Sequence, residues 1–353
     1  MNKENDTLII LSPGFPQNEA DTTCLPMQQS LILALKNNFP RLTIIILSFQ
    51  YPYVEKKYQW HGTTVFSFNG KNKGGIKRLL LRKKINTTLK ELLNTNKIIG
   101  LLSFWCGECA LVGKRFADKN NLKHFCWLLG QDAKKENKYP KRTALKGNEL
   151  IALSDFLQDE YEKNHKERPK YVVPAGIDTK QFDNSIKEKN VDIIAAGSLI
   201  PIKQYDIFIK AVAEIKKQIP DVKAVLIGDG PQKKMLQLLI EEYDLQSNIF
   251  LTGELPHPEV LQWMQWSKVF LHPSSYEGFG VVMVEALYAG CRVISFCKPM
   301  QQVIEQWEVV QSKKEMEEKA IHILKDTNAT YKSITFFTID TIAKKMMQIF
   351  GDQ

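Results

Sequence analysis

The stretch Val269-Phe270-Leu271-His272-Pro273-Ser274-Ser275-Tyr276-Glu277-Gly278-Phe279-Gly280-Val281-Val282-Met283-Val284-Glu285-Ala286-Leu287 decides how this chain folds. Residues 269–272 read as a short buried strand, and the Pro-Ser pair with two glycines reads as a turn. A helix is expected from Val281. Two glutamates lie eight positions apart, Glu277 in the turn and Glu285 on the second helical turn. Helical side chains lean toward the N-terminus, so Glu285 is expected to reach back toward the mouth that Glu277 occupies. The free amides of the first helical turn point into the same space and favour an anion there. The corner thus offers N–H donors for phosphate beside two carboxylates that accept from hydroxyls. A ligand with a diphosphate and sugar diols, such as a nucleotide-sugar, needs both.

The same strand–turn–helix unit recurs on either side. In the second half, strands are expected at 191–195, 222–227, 249–252 and 292–296, with helices following from Tyr205, Lys233, Glu259 and Lys313. The first half reads as strands at 7–11, 43–49, 98–104, 124–128 and 149–153, with helices at 23–36, 77–93, 107–116 and 155–161. Residues 65–68 suggest one more strand. Such alternation implies parallel sheets covered on both faces. The predicted class is α/β, with two Rossmann-like doubly wound domains facing a central cleft, where the carboxyl ends of such sheets bind ligands. The join runs through 171–182 and the polar residues 187–190, which divides the chain into domains 1–172 and 173–337.

A length of 353 residues suits two domains, each with its own core. No apolar run approaches the length of a bilayer span. The polar start, Met1-Asn2-Lys3-Glu4-Asn5-Asp6, does not read as a signal peptide, so a cytoplasmic location is expected. Six cysteines do not make a disulfide scaffold. Cys106, Cys109, His124 and Cys126 lie close in sequence, the two pairs expected on separate strands of one sheet, and a zinc site, a redox pair and plain buried thiols are the open readings. The net charge of +9 concentrates in residues 71–85, where seven basic residues flank Ile76, Leu79, Leu80 and Ile85 at helical spacing. That pattern fits an anionic membrane surface, or a core-facing helix with a solvated basic face. No nucleic-acid module accompanies the charge, and no nucleic-acid partner is expected.

The Pro-Ser-x-x-Glu-Gly-Phe-Gly turn, the second Glu eight residues on, and the helix ending at Ala289-Gly290 resemble the donor site of the family 4 retaining glycosyltransferases (glycosyl transferases group 1), which have the GT-B fold. The resemblance extends through Pro174-Ala175-Gly176-Ile177-Asp178 with Phe182, through Ser154-Asp155-Phe156, and through Gly197-Ser198-Leu199 with Lys203. It continues through Gly228-Asp229-Gly230-Pro231 and through 249–253. It implies a donor-binding domain at 173–337 and an acceptor-side domain at 1–172, with a C-terminal helix in 338–353 packing back on the latter. It also implies transfer of a hexosyl group from a UDP- or GDP-hexose to a glycan or lipid-linked acceptor, as in cell-surface polysaccharide or glycolipid synthesis. The location would be cytoplasmic, or peripheral at the inner face of the membrane.

By the same resemblance, Glu277 bonds donor-sugar hydroxyls near the reacting carbon and Lys203 stabilises the leaving phosphate. Glu285 holds the ribose diol. Ser198, Gly228, Gly253, Glu254, Leu255, Gly278, Phe279, Gly280 and Val281 complete the donor site, largely through backbone. No Asp-x-Asp occurs in the chain, so no metal and no cofactor beyond the co-substrate are expected. Transition-state charge must then fall on cationic side chains and helix amides. Three features depart from the family, the first being the loop at 14–22, which lacks the family's glycine pair after the first strand. Ser198 replaces an Arg, exchanging a bidentate charged fork for one neutral hydroxyl. Leu129 replaces a His, so acceptor contacts are sought instead at Trp105, Glu108 and Asp132. These departures leave an alternative, a nucleotide-sugar-binding protein of the same fold without turnover. Its discriminating observation is donor hydrolysis.

Overall fold

A computed structural model describes residues 5–183 and 188–351, and Lys187 of the expected join lies outside the described residues. The chain divides into two compact units, residues 1–176 with 339–353, and residues 177–338.

The first unit runs β1 (Asp6–Gly14), α1 (Pro26–Asn38), β2 (Thr43–Tyr51), β3 (Glu55–Trp60), β4 (Thr63–Phe68), α2 (Gly75–Thr95), β5 (Lys97–Phe104), α3 (Glu108–Asn120), β6 (His124–Leu128), α4 (Tyr139–Thr143), β7 (Leu150–Ala152), α5 (Asp155–His165) and β8 (Tyr171–Val172). Its eight strands are ordered β3-β4-β2-β1-β5-β6-β7-β8. All pairings are parallel except β3 with β4. The central strands are apolar runs: Leu8, Ile9, Ile10 and Leu11 have no exposed surface. Helices cover both faces of such a sheet, which is why its strands read as continuous hydrophobic stretches.

Three expectations need correction here. Strand β3 was not foreseen, because Glu-Lys-Lys-Tyr-Gln-Trp is polar; it is an edge strand, and edges carry charge. The expected apolar face of α2 is also different. The residues that meet the sheet are Leu81, Ile85, Leu89 and Leu92, whereas Ile76, Leu79 and Leu80 are 75%, 60% and 56% exposed. Cys106 and Cys109 lie at the end of β5 and on α3, so they do not form a pair on one strand.

The second unit runs β9 (Val191–Ala196), α6 (Tyr205–Lys216), β10 (Ala224–Ile227), α7 (Lys233–Glu242), β11 (Ile249–Gly253), α8 (His257–Gln265), β12 (Ser267–His272), α9 (Val281–Tyr288), β13 (Arg292–Ser295), β14 (Trp307–Val309) and α10 (Lys313–Lys325). Its six parallel strands are ordered β11-β10-β9-β12-β13-β14. The strand order reverses between β9 and β12, and open α/β sheets bind ligands at the carboxyl ends on either side of that reversal. Ile177 and Thr338 pair as a bridge, so the two ends of this unit meet.

Helix α11 (Ile339–Gly351) buries Ile342, Ala343, Met346, Ile349 and Phe350, a helical stripe. It belongs to the first unit. Phe350 meets Phe125 edge-on at 4.9 Å, and the Asn38 amide donates to Asp340 at 2.6 Å.

Candidate functional site

The β12–α9 turn is built around Gly280, the N-cap of α9, at φ 74° and ψ 60°. An L-residue is strained there, and a Cβ at this position would lie 2.1 Å from the Met283 methyl. Phe279 is buried against the second unit's own core, 6.0 Å from the Phe337 ring, which leaves its backbone to line the turn. Opposite, the β9 loop comes close to the β10 loop. A Cβ on Gly228, at φ 148°, would stand 2.0 Å from the Gly197 carbonyl oxygen, so only glycine permits the approach. The two sides of the reversal are tied by Ser275, whose amide donates to the Ile202 carbonyl at 3.0 Å, and by the Ser274 hydroxyl on the same oxygen at 3.1 Å.

This tie carries Lys203 to Glu277. The Lys203 ammonium hydrogen-bonds Glu277 Oε1, and His272 Nε2 lies 2.7 Å from the same oxygen. Burial would raise the Glu277 carboxyl, but the His272 hydrogen bond and the Lys203 charge outweigh it and hold it at about 2. Burial lowers the His272 imidazole further than Glu277 raises it. Glu277 is therefore a firm carboxylate, unsuited to carry a proton near neutral pH.

Glu285 has a separate partner. His257 Nε2, at the start of α8, stands 2.8 Å from Glu285 Oε1. Burial opposes the His257 cation, and the Glu285 hydrogen bond and charge outweigh it, so its pKa is raised. Ser198 is exposed, its carbonyl accepting from the Ile200 amide at 2.9 Å. Gly253 is buried at the end of β11, and Glu254 and Leu255 follow as exposed and half-buried residues. Lys233, at the start of α7, pairs with Asp229 at 2.6 Å, and its ammonium would lie 3.6 Å from a Cβ on Gly253.

Sequence reasoning had not singled out His272, His257 or Lys233. Lys233 follows the Gly-x-Gly-Pro turn and was legible as a basic residue at a helix start. The two histidines carry no local pattern.

In the first unit, Trp105, Glu108 and Asp132 fall near one corner with different surroundings. Trp105 holds φ 62° at the β5–α3 turn, an uncommon conformation for a bulky side chain. Glu108 is closed off, ion-paired with Arg82 through both oxygens and accepting from the Tyr139 hydroxyl at 2.7 Å. Asp132 is buried, and its carboxylate accepts from the amides of Cys106 at 2.9 Å and Gly130 at 2.8 Å, and of Leu129 at 3.1 Å. It staples the loop after β6 to the end of β5. Cys106, Cys109 and Cys126 are buried thiols, and His124 lies 2.8 Å from the Ser103 hydroxyl. Among the described residues, no group of three or more His, Cys, Asp or Glu is placed to hold a metal ion.

A family model described as glycosyl transferases group 1 matches residues 176–334. Residues 176–334, somewhat under half of the chain, are thus similar to the glycosyl transferases group 1. The fold agrees. A sucrose-phosphate synthase structure from Thermosynechococcus elongatus superposes with a TM-score of 0.75 at 18% identity, over 98% of both chains. HepE of Anabaena, solved with UDP and glucose, gives 0.71 at 17% identity, over 98% of this chain and 100% of that one. The architecture is GT-B. Among curated sequences, the phosphatidylinositol N-acetylglucosaminyltransferase gpi3 subunit of Schizosaccharomyces pombe is 29% identical over 60% of this chain and 48% of its own length. The GtfA subunit of a peptide N-acetylglucosaminyltransferase from Streptococcus pneumoniae is 31% identical over 41% of this chain and 29% of its own. The matches thus span less than half of these relatives.

Proposed function

We propose that the protein is a retaining, metal-independent glycosyltransferase. It moves a hexosyl group from a nucleoside-diphosphate sugar, with UDP-N-acetylglucosamine the first donor to test, to a glycan or lipid-linked acceptor. The observation that carries this reading is the Lys203–Glu277 pair at the sheet's reversal point, beside the N-terminus of α9. The N-acetylglucosaminyltransferase relatives support the sugar, and the UDP in HepE supports the base.

In this reading Glu277 accepts from donor-sugar hydroxyls, and Glu285, with His257 behind it, takes the ribose diol. The bond from the anomeric carbon to the β-phosphate oxygen breaks as the acceptor oxygen bonds to that carbon on the same face. The acceptor's proton passes to the departing phosphate oxygen. Charge building on that phosphate is met by Lys203, by the α9 amides and by Lys233, which supplies a cation where Ser198 cannot. A carboxylate held at about 2 is a weak base and a weak nucleophile, which favours this path over a covalent intermediate on Glu277.

The acceptor side is read as a membrane-facing surface. Ile76, Leu79 and Leu80 are exposed among Lys71, Lys73, Lys77 and Arg78, and Tyr53, 62% exposed, lies under the Lys71 ammonium. Apolar side chains ringed by cations suit an anionic lipid surface. Among the described residues no helix is long and apolar enough to cross a membrane.

The test is release of UDP from UDP-N-acetylglucosamine, with and without a pool of lipid and glycan acceptors. Slow release without acceptor, abolished by Glu277→Ala, supports the reading. Tight UDP binding with no turnover in any pool would favour a binding protein, the outcome that an uncompensated Ser198 implies.

A further inference from the structure

His272 ends β12 with no exposed surface, directly after the buried apolar Val269, Phe270 and Leu271. Its ring stacks on Phe270, with centroids 5.9 Å and planes 20° apart. Nε2 faces Glu277 Oε1 at 2.7 Å, while Nδ1 is buried with no hydrogen-bond partner among the described residues. An ionised carboxylate only accepts, so Nε2 carries the proton. A second proton on Nδ1 would be a buried donor with nothing to receive it, so the ring stays neutral. The titratable groups around this pair are Lys203 on the same oxygen, and Tyr205 and Cys297, both near enough to feel the Glu277 charge.

Both donors land on Oε1. Glu277 Oε2 accepts from no group among the described residues. A glutamate has three side-chain torsions, and one ammonium on a flexible stem restrains them poorly. A ring fixed by burial and stacking restrains them well.

We propose that His272 is a positioning residue for glycosyl transfer: its neutral Nε2–H locks Glu277 in one orientation and leaves Oε2 for a hydroxyl of the donor sugar. The role in transfer rests on the donor-site reading above, whereas the locked tautomer does not.

Two measurements on the full chain test it. In ¹⁵N NMR, the His272 resonances, assigned by their loss in His272→Gln, should show an unchanging Nε2–H neutral ring from pH 5 to 8. Protonation inside that window, or an Nδ1–H ring, overturns the proposal whether or not the protein turns over. In kinetics, His272→Leu should lower kcat about 30–100-fold, the range of a lost hydrogen bond to a charged group, with UDP affinity within about twofold. His272→Gln, whose amide reaches the same oxygen, should recover about tenfold. Equal loss in both variants with a fall in Tm, or a His272→Leu enzyme with wild-type kcat, rejects positioning. Failure of the donor-site reading looks different: wild type would neither bind UDP nor release it from a sugar donor.

Discussion

Two corners of this molecule share one design. At β12–α9 and at β5–α3, a buried parallel strand ends in a turn with positive φ and delivers a glutamate beside the start of a helix. At β5–α3 both oxygens of Glu108 are consumed, by the Arg82 guanidinium and the Tyr139 hydroxyl. At β12–α9, among the described residues, only one oxygen of Glu277 is used, by two donors together. A closed ion pair fixes structure, whereas a carboxylate with one oxygen spare is ready for a ligand. Backbone geometry therefore makes the corner, and the surrounding donors decide whether it is a joint or a site.

The sharpest test of the contrast is to remove each carboxylate. Glu277→Ala should lower donor turnover by roughly 10³-fold and Lys203→Ala by about 10²-fold, the scale of losing a preorganised charged group. UDP release measures both, and retention of activity by Glu277→Ala would end the distinction. Reversing Lys77, Arg78 and Lys83 to Glu should weaken binding to phosphatidylglycerol vesicles by about 100-fold or more, at roughly 1 kcal/mol per cation removed. Arg82 is left in place because it holds Glu108. Unchanged co-sedimentation would remove the membrane from the reading.

Asp132→Ala strands two buried amide donors and one part-buried one, and should destabilise the protein by about 3 kcal/mol in urea unfolding, without changing UDP affinity. A larger loss of turnover than of stability would return Asp132 to the list of acceptor residues. The open site predicts a pH signature too. The folded Glu277 carboxyl, at about 2, lies below its ordinary 4.5. Its contribution is complete above about pH 4.5 and fades as pH falls toward 2, on the order of 3 kcal/mol at most. Unfolding of wild type and Glu277→Gln at pH 7, 4 and 3 should therefore converge on the acid side. Smallest of all, Glu108→Gln should cost about 1 kcal/mol of stability and leave donor hydrolysis within about twofold, since one partly exposed pair is lost.

Much of this was legible along the chain. The βα alternation gave the parallel sheets, and the Gly-rich turn placed Glu277 at a helix start. The failures have particular causes. Edge strand β3 hid behind its lysines. Helix α2 carries two apolar stripes, 76/79/80 and 81/85/89/92, and helical spacing cannot say which one meets the sheet. Glu108 read as a candidate acceptor contact, and its ion pair was hidden because its partner Arg82 lies 26 residues earlier, on another helix. His272 read as the end of a strand, since nothing in Leu-His-Pro-Ser announces a hydrogen bond five residues ahead.

By itself the sequence determined most of the elements, the turn chemistry and the positions of Glu277 and Glu285. These depend on interactions among near neighbours: periodicity, glycine conformation and helix ends. Only the tertiary structure decided which carboxylate is open. Lys203 meets Glu277 across 74 residues, and His257 meets Glu285 across 28. A side-chain hydrogen bond acts over a few ångströms of space and leaves no periodic mark on the chain, so the state of each glutamate is set where the loops converge.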